Sequence, residues 1–330
     1  MEYRAQEKRY DTMQYNRLGN SGLKLSAVSL GLWHNFGDTG DYDNMRAMCR
    51  TAFDNGITHF DLANNYGPEA GSAETNFGRI LRDDFACYRD ELVISTKAGY
   101  YMWPGPYWDW GSRKYLIASI DQSLKRLGLP YVDIFYHHRM DPNTPIEETC
   151  EALAQIVRSG KALYVGISNY DGVWMNEAAD ILEDLHCPFI INQNRYNIFD
   201  RTIEKNGLKQ AAVDRQKGLI CFSPLAQGLL TDRYVNGIPA DSRINTDGRF
   251  LKKETVEARH GQILSLKELA NSRGESLSQM ALKWILKDGA VDSVLIGASR
   301  PAQILENLGV LNSPDFTEEE LQKIDEICGV

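Results

Sequence analysis

The feature that most restricts how this chain can fold is an eightfold alternation of short apolar runs with longer stretches of helical period. AVSLGL, THFDLA, ELVISTK, YVDIFYHH, ALYVGIS, FIINQ, GLICFS and SVLIG read as strands. The helical patterns that follow them lie near Tyr42–Asn55, Glu74–Leu81, Arg113–Leu127, Ile146–Ser159, Val173–Leu185, Leu208–Gln216, Ser278–Lys287 and Ala302–Leu311. The strand runs are nearly continuous in apolar residues, as strands are when helices cover both faces of a sheet. Alternating strand and helix implies parallel crossovers, and eight units in 330 residues fit a closed (β/α)8 TIM barrel better than an open sheet. The expected architecture is an α/β single domain over 1–330. It has a polar tail at 1–12 and a hairpin in MQYNRLGNSGLKLS turning at Asn20-Ser21-Gly22. A long lid over 224–251 follows the seventh barrel strand.

Composition narrows the partners. Lys and Arg number 36 against 45 Asp and Glu, a net charge of −9, which argues against a general nucleic-acid or anionic-membrane binder. A small phosphorylated ligand held by a few local cations stays open. No stretch reaches the ~18 apolar residues of a membrane span. The opening residues MEYRAQEKRYDTMQYNRLG contain no apolar signal core, so a cytoplasmic protein is expected. The six cysteines are scattered without a CxxC and read as reduced thiols. The six histidines show no HExxH or finger spacing, so no metal is expected.

In such a barrel the chemistry sits at the carboxyl ends of the strands. Asp61 ends the second, with Tyr66 five residues on in FDLANNYG; Lys97 ends the third, and His137-His138 end the fourth. Singly, each has a plain alternative: a solvated Lys, a packing Tyr. Together they suit protonation of an oxygen while hydride arrives at its carbon. A phenol titrates near ~10, too high for an efficient acid at neutral pH. A neighbouring ammonium such as Lys97 is expected to lower that value, with Asp61 holding the Lys charged and oriented. A histidine would orient the carbonyl oxygen. Neighbours on a strand point to opposite sides, so only one of His137 and His138 can face the pocket.

From the hairpin onward the chain resembles the aldo-keto reductase superfamily. Within it, the nearest likeness is to the branch that holds bacterial L-glyceraldehyde 3-phosphate reductase and the β subunits of voltage-gated potassium channels. The likeness is carried by GITHFDLANNYGP, ISTKAG, WDWGSRKYLIASIDQSLKRLGLPYVDIFYHHRMDPNTPIEET, GKALYVGISNY, NQNRYN, SPLAQGLL and VLIGASRPAQILEN. The resemblance places the family's catalytic Asp, Tyr, Lys and His on Asp61, Tyr66, Lys97 and His138. It thereby picks His138 over His137. The channel-subunit branch typically has Asn at that position, and the His here favours a working reductase.

The resemblance also implies NADPH as cofactor. Its contacts carry over to Trp33, Asp61, Ser168, Asn169, Gln193, Phe222, Ser223, Leu225 and Gly228, with Phe222 placed to stack on the nicotinamide. Arg233 and Arg243 of the lid are implied pyrophosphate or adenosine contacts, and Gly297, Ser299, Arg300, Gln303, Glu306 and Asn307 would hold the adenosine end. Ser299 and Arg300 precede a helix start, which suits the 2′-phosphate of NADP. Two absences agree with a barrel-bound dinucleotide. No GxGxxG follows an early strand, and none of the sixteen tyrosines has Lys four residues later.

The loop YYMWPGPYWDWGSRK is dense in aromatics and reads as a substrate wall that excludes water. Trp33, Tyr66, Trp103 and Trp110 are the candidate substrate contacts, with Arg139, Arg113 or Lys114 as candidates for holding a substrate phosphate. The expected activity is NADPH-dependent reduction of a small aldehyde or ketone, such as L-glyceraldehyde 3-phosphate or methylglyoxal, with Tyr66 as general acid. The alternative is an NADP-binding regulatory subunit. A homo-oligomer, tetramer or octamer, is implied by resemblance alone.

Overall fold

The computed structural model describes residues 3–240, 242, 244 and 251–330. Among them are ten strands: β1 Tyr15–Arg17, β2 Lys24–Ser26, β3 Val28–Gly31, β4 His59–Asp61, β5 Val93–Ala98, β6 Val132–His137, β7 Ala162–Ser168, β8 Phe189–Arg195, β9 Gly218–Phe222 and β10 Ser293–Ile296. β1 and β2 form the expected antiparallel hairpin. The other eight close into a parallel barrel, β3 to β10 in chain order with β10 hydrogen-bonded back to β3.

The helices begin where the local chemistry allows. Arg113–Leu127 starts at Ser112, whose Oγ accepts from the Tyr115 amide at 3.3 Å. It stops at Gly128, where a φ of 69° suits a residue without Cβ. Leu277–Leu286 opens with a reciprocal cap between Ser276 and Gln279. Among the described residues, three α-helices lie beyond the expected eight units: Thr202–Lys205, Lys253–Ser272 and Glu318–Cys328. Lys253–Ser272 follows the long lid segment and packs against the 232–234 turn and the C-terminal helix.

Strand alternation divides the apolar residues into two bodies. Outward-facing residues such as Phe60, Ile94 and Phe135 join the helix faces in one core. Inside the barrel a smaller core gathers Val93, Ile134, Tyr136, Ile191, Ile220 and Leu295. Leu18 and Leu25 of the hairpin, both fully buried, close it from the amino end. Glycine matters at one interior point. A Cβ on Gly166 of β7 would lie 2.3 Å from Tyr136 Cε1 on the neighbouring strand. Gly166→Ala is therefore expected to destabilise the protein by about 2–3 kcal/mol in chemical denaturation, because a close-packed lumen cannot give way cheaply.

The first residues are not a free polar tail. Tyr3 Oη donates to Asp54 at 2.7 Å, Ala5 N donates to Tyr88 Oη at 3.0 Å, and the Arg9 guanidinium lies 4.9 Å from the Phe53 ring centre. Rings spaced through distant sequence make this dock, so the polar composition of 1–12 hides it. The six cysteines form no disulfide.

Candidate active site

The floor of the site follows from residues two apart on adjacent strands, which share a face. His59 and Asp61 come from β4, Ser95 and Lys97 from β5, and all four are fully buried. Lys97 Nζ pairs with Asp61 Oδ2 and donates to the Leu62 carbonyl at 2.7 Å. Asp61 Oδ1 accepts from Ser95 Oγ at 2.6 Å and from Gln193 Nε2 at 3.1 Å. Above this pair lies Tyr66, its ring centre 5.2 Å from Lys97 Nζ and 6.0 Å from the edge-on His138 ring. Trp33 flanks the same ring at 6.2 Å. The four residues expected to act together thus converge from three strand ends. His137 points the other way, toward Tyr170, with Nδ1 2.6 Å from its hydroxyl.

The electrostatics correct one expectation. The Tyr66 phenol is not made more acidic here: burial first, then the Asp61 carboxylate, pushes it well above the ordinary tyrosine value. The Lys97 charge is largely spent on Asp61, so desolvation wins over the ammonium. Burial likewise pulls the Lys97 ammonium down, with Asp61 opposing. Tyr66 consequently stays protonated at neutral pH, the form a proton donor needs. Burial, reinforced by Lys97, holds the His138 imidazole neutral, far below its usual value, and its buried Nδ1 has no hydrogen-bond partner. A neutral imidazole can donate to a carbonyl oxygen without bringing a full charge.

Backbone close to His138 has no slack. A Cβ on Gly99 would sit 2.9 Å from His138 Cβ. Gly99→Ala should push the imidazole aside and lower kcat by about tenfold or more, as small misplacements at a reacting centre do. An unchanged kcat in steady-state assays would count against the role of His138.

The remaining expected residues occupy two zones. Around the mouth, Ser168 and Gln193 are buried at strand ends, and Asn169, at φ 57°, ties its Nδ2 to the His138 carbonyl at 2.9 Å. Phe222 ends β9 half-buried; Ser223, Ala226, Gln227 and Gly228 after it all have positive φ, around Leu225. Arg233 is exposed on the next short turn. At the rim, Ser299 N and Oγ meet Gln303 Oε1 at 2.8 and 3.1 Å, and Asn44 Nδ2 donates to the Ser299 carbonyl at 2.9 Å. Arg300 is exposed at the N-cap of the helix Pro301–Leu308, with no ion-pair partner among the described residues. Gly297 is exposed beside it; Glu306 accepts from Ser278 Oγ at 3.0 Å, and Asn307 is buried. Arg243 lies outside the described residues.

The aromatic loop is held by Arg139, whose place differs from the expectation of a free phosphate ligand. Its guanidinium lies 3.4 Å from the Trp110 ring centre and 4.2 Å from that of Tyr100. Its Nε donates to the Gly99 carbonyl at 2.7 Å and its Nη2 to Asp109 at 2.9 Å. Arg139 is thus engaged in fixing the wall. Tyr100 stands edge-on to His138 at 4.7 Å, and Trp103 packs 5.1 Å from Tyr115. Arg113 pairs with Glu151 and Gln155 at the surface, and Lys114 lies over Tyr107, leaving neither directed at His138.

A buried Asp–Lys pair under a protonated Tyr, at the carboxyl mouth of a parallel barrel, is one of two observations that decide the family. The other is that residues 27–328 match the model of the aldo/keto reductase family. The chain belongs to this family. As an aldo/keto reductase it is an oxidoreductase. It is 56% identical over 330 residues to L-glyceraldehyde 3-phosphate reductase of Escherichia coli (strain K12), covering 99% of this chain and 95% of the relative. It is 36% identical to a probable voltage-gated potassium channel subunit beta of Oryza sativa subsp. japonica, over 96% of each chain. It is 37% identical to a putative counterpart of Schizosaccharomyces pombe, over 94% of this chain and 92% of that one. The reductase likeness is the stronger of the two. Among the described residues no helix is long and apolar enough to cross a membrane.

The sequence reading missed His59 and Ser95 of this aldo/keto reductase, which complete the floor beneath Asp61. The signal was available: HFD and STK each place a second polar residue two positions before a named one.

Proposed function

We propose that the chain is an NADPH-dependent aldehyde reductase, acting on L-glyceraldehyde 3-phosphate or a similarly small aldehyde such as methylglyoxal. The observation that carries this reading is the buried Asp61–Lys97 pair beneath Tyr66, with neutral His138 beside the phenol. His138 donates a hydrogen bond to the carbonyl oxygen and orients it. Tyr66 transfers its proton to that oxygen. Lys97, held by Asp61, steadies the developing phenolate, and the wall of Tyr100, Trp103 and Trp110 keeps water away. When bound, the nicotinamide supplies hydride to the carbonyl carbon. Trp33, Ser168, Asn169, Gln193, Phe222, Ser223, Leu225 and Gly228 would hold its head, and Ser299 and Arg300 its 2′-phosphate. The unpaired Arg300 at a helix N-terminus supports NADP over NAD. The protein works in the cytoplasm as a homo-oligomer.

The test is steady-state turnover with NADPH and with NADH against glyceraldehyde 3-phosphate, methylglyoxal and 4-nitrobenzaldehyde. NADPH should support turnover of the phosphorylated aldehyde far better than NADH. Tight NADPH binding with no turnover of any aldehyde would favour the regulatory-subunit reading, which the His at 138 opposes.

A further inference from the structure

A column of hydrogen bonds runs up one side of the barrel lumen from the closed end to Asp61. Ser293 Oγ, on β10, lies 2.8 Å from the Ser26 carbonyl and 2.7 Å from Ser29 Oγ on β3. Ser29 Oγ is 2.9 Å from His59 Nδ1, and His59 Nε2 is 2.9 Å from Ser95 Oγ. Ser95 Oγ then reaches Asp61 Oδ1 at 2.6 Å. Every side chain in the column is fully buried, so each contact must be made by the protein's own protons.

Counting those protons exposes a shortage. Both ends of the column, the Ser26 carbonyl and the Asp61 carboxylate, can only accept. Three hydroxyls and a neutral imidazole bring one proton each, four in all, to five contacts. One contact therefore has no proton while His59 is neutral. Burial holds the imidazole in that form, down at about 4, with the Lys97 ammonium acting the same way and Asp61 against it.

The two tautomers put the shortage in different places. With the proton on Nδ1, donors run away from Asp61, and Ser95 must choose between the carboxylate and a bare Nε2. The shortage then sits next to the catalytic charge. With the proton on Nε2, Ser29 donates to Nδ1, His59 donates to Ser95, and Ser95 donates to Asp61. The shortage then falls at the neutral Ser293 end. A buried anion orders nearby dipoles toward itself, and aligned donors polarise one another, so the second arrangement wins.

Taking the reductase reading of the site as given, we propose that His59 is a positioning residue held as its Nε2–H tautomer, directing the hydroxyl of Ser95 onto Asp61 and so fixing the Asp61–Lys97 pair under Tyr66. The titratable groups that face His59 are Asp61 and Lys97. Through Ser29 and Ser293 the orientation of the catalytic carboxylate is tied to the closed end of the barrel, on the far side from the mouth.

The decisive experiment reads the proton directly. Long-range 1H–15N correlation on the full chain labelled in histidine, assigned with a His59→Gln variant, distinguishes the two tautomers and the imidazolium at about pH 7. Neutron diffraction of the deuterated protein does the same without a variant. The Nε2–H form is expected. An Nδ1–H tautomer or an imidazolium overturns the proposal, whatever the enzyme's activity. Ser29→Ala breaks the column behind His59 without touching the site. It should keep the Nε2–H form, because two protons then serve the two contacts left between His59 and Asp61, whereas Ser95→Ala, which removes the donor onto Asp61, should lower kcat about fivefold and leave KM for NADPH within about twofold. A Ser29→Ala protein that shifts to the Nδ1–H form, or an unchanged kcat in a folded Ser95→Ala protein, also overturns it. If the parent protein reduces no aldehyde while its His59 carries the proton on Nε2, the reductase reading has failed and the column stands.

Discussion

Tyr66→Phe is expected to remove nearly all carbonyl reduction, by about a thousandfold in kcat, while NADPH binds as tightly as to the parent. The substitution keeps the ring, its contact with Lys97 at 5.2 Å and its neighbours Trp33 and His138, and deletes only the proton that the oxygen must receive. Because burial holds the phenol far above its usual value, the parent carries that proton throughout the neutral range. Fluorescence titration with NADPH and stopped-flow turnover separate the two quantities. A variant that turns over aldehyde near the parental rate would remove Tyr66 from the acid's role.

Lys97→Met is expected to be costly twice. It strands the Asp61 carboxylate in a fully buried site, where, among the described residues, Ser95 and Gln193 alone still donate to it. Breaking one member of a buried pair costs about 3–5 kcal/mol, because the remaining charge is uncompensated. Turnover should fall at least as far as in Tyr66→Phe. The double variant Lys97→Met with Asp61→Leu discriminates stability from chemistry. It should regain over half of the lost stability, roughly 2 kcal/mol or more, and none of the activity. Urea denaturation of the three proteins measures this. If the double variant is no more stable than Lys97→Met, the pair is not what the lumen is built around.

The barrel and its mouth were legible because their signals are local. Nearly continuous apolar runs and helices with their own caps mark the eight units, and Arg113–Leu127 and ALYVGIS match element for element. Once closure is assumed, the strand ends alone bring together Asp61, Tyr66, Lys97 and one of two histidines; the resemblance picks His138 over His137. What stayed hidden depends on contacts between distant residues. The dock of 3–13 uses Asp54 and Tyr88, which no local pattern links to it. Lys253–Ser272 was absorbed into a long insert because its apolar face is weakly marked, with charged residues spread around it. Arg139 stands among three candidates for a substrate phosphate from its position after His138. Only folding shows its guanidinium between two rings. The direction of the Tyr66 shift is hidden because the sequence reveals which charges are near and not how much water they lose.

The hairpin leucines turn the barrel into a well that opens at its mouth. Leu18 and Leu25, both fully buried, stop its lower end, so the mouth beside Tyr66 is the route by which solvent isotope is expected to reach the lumen. Any tenant seated over that ring becomes a cork. Hydroxyl and imidazole deuteration deep in the well then reports occupancy at its rim, giving a clock for ligand departure that needs no chromophore.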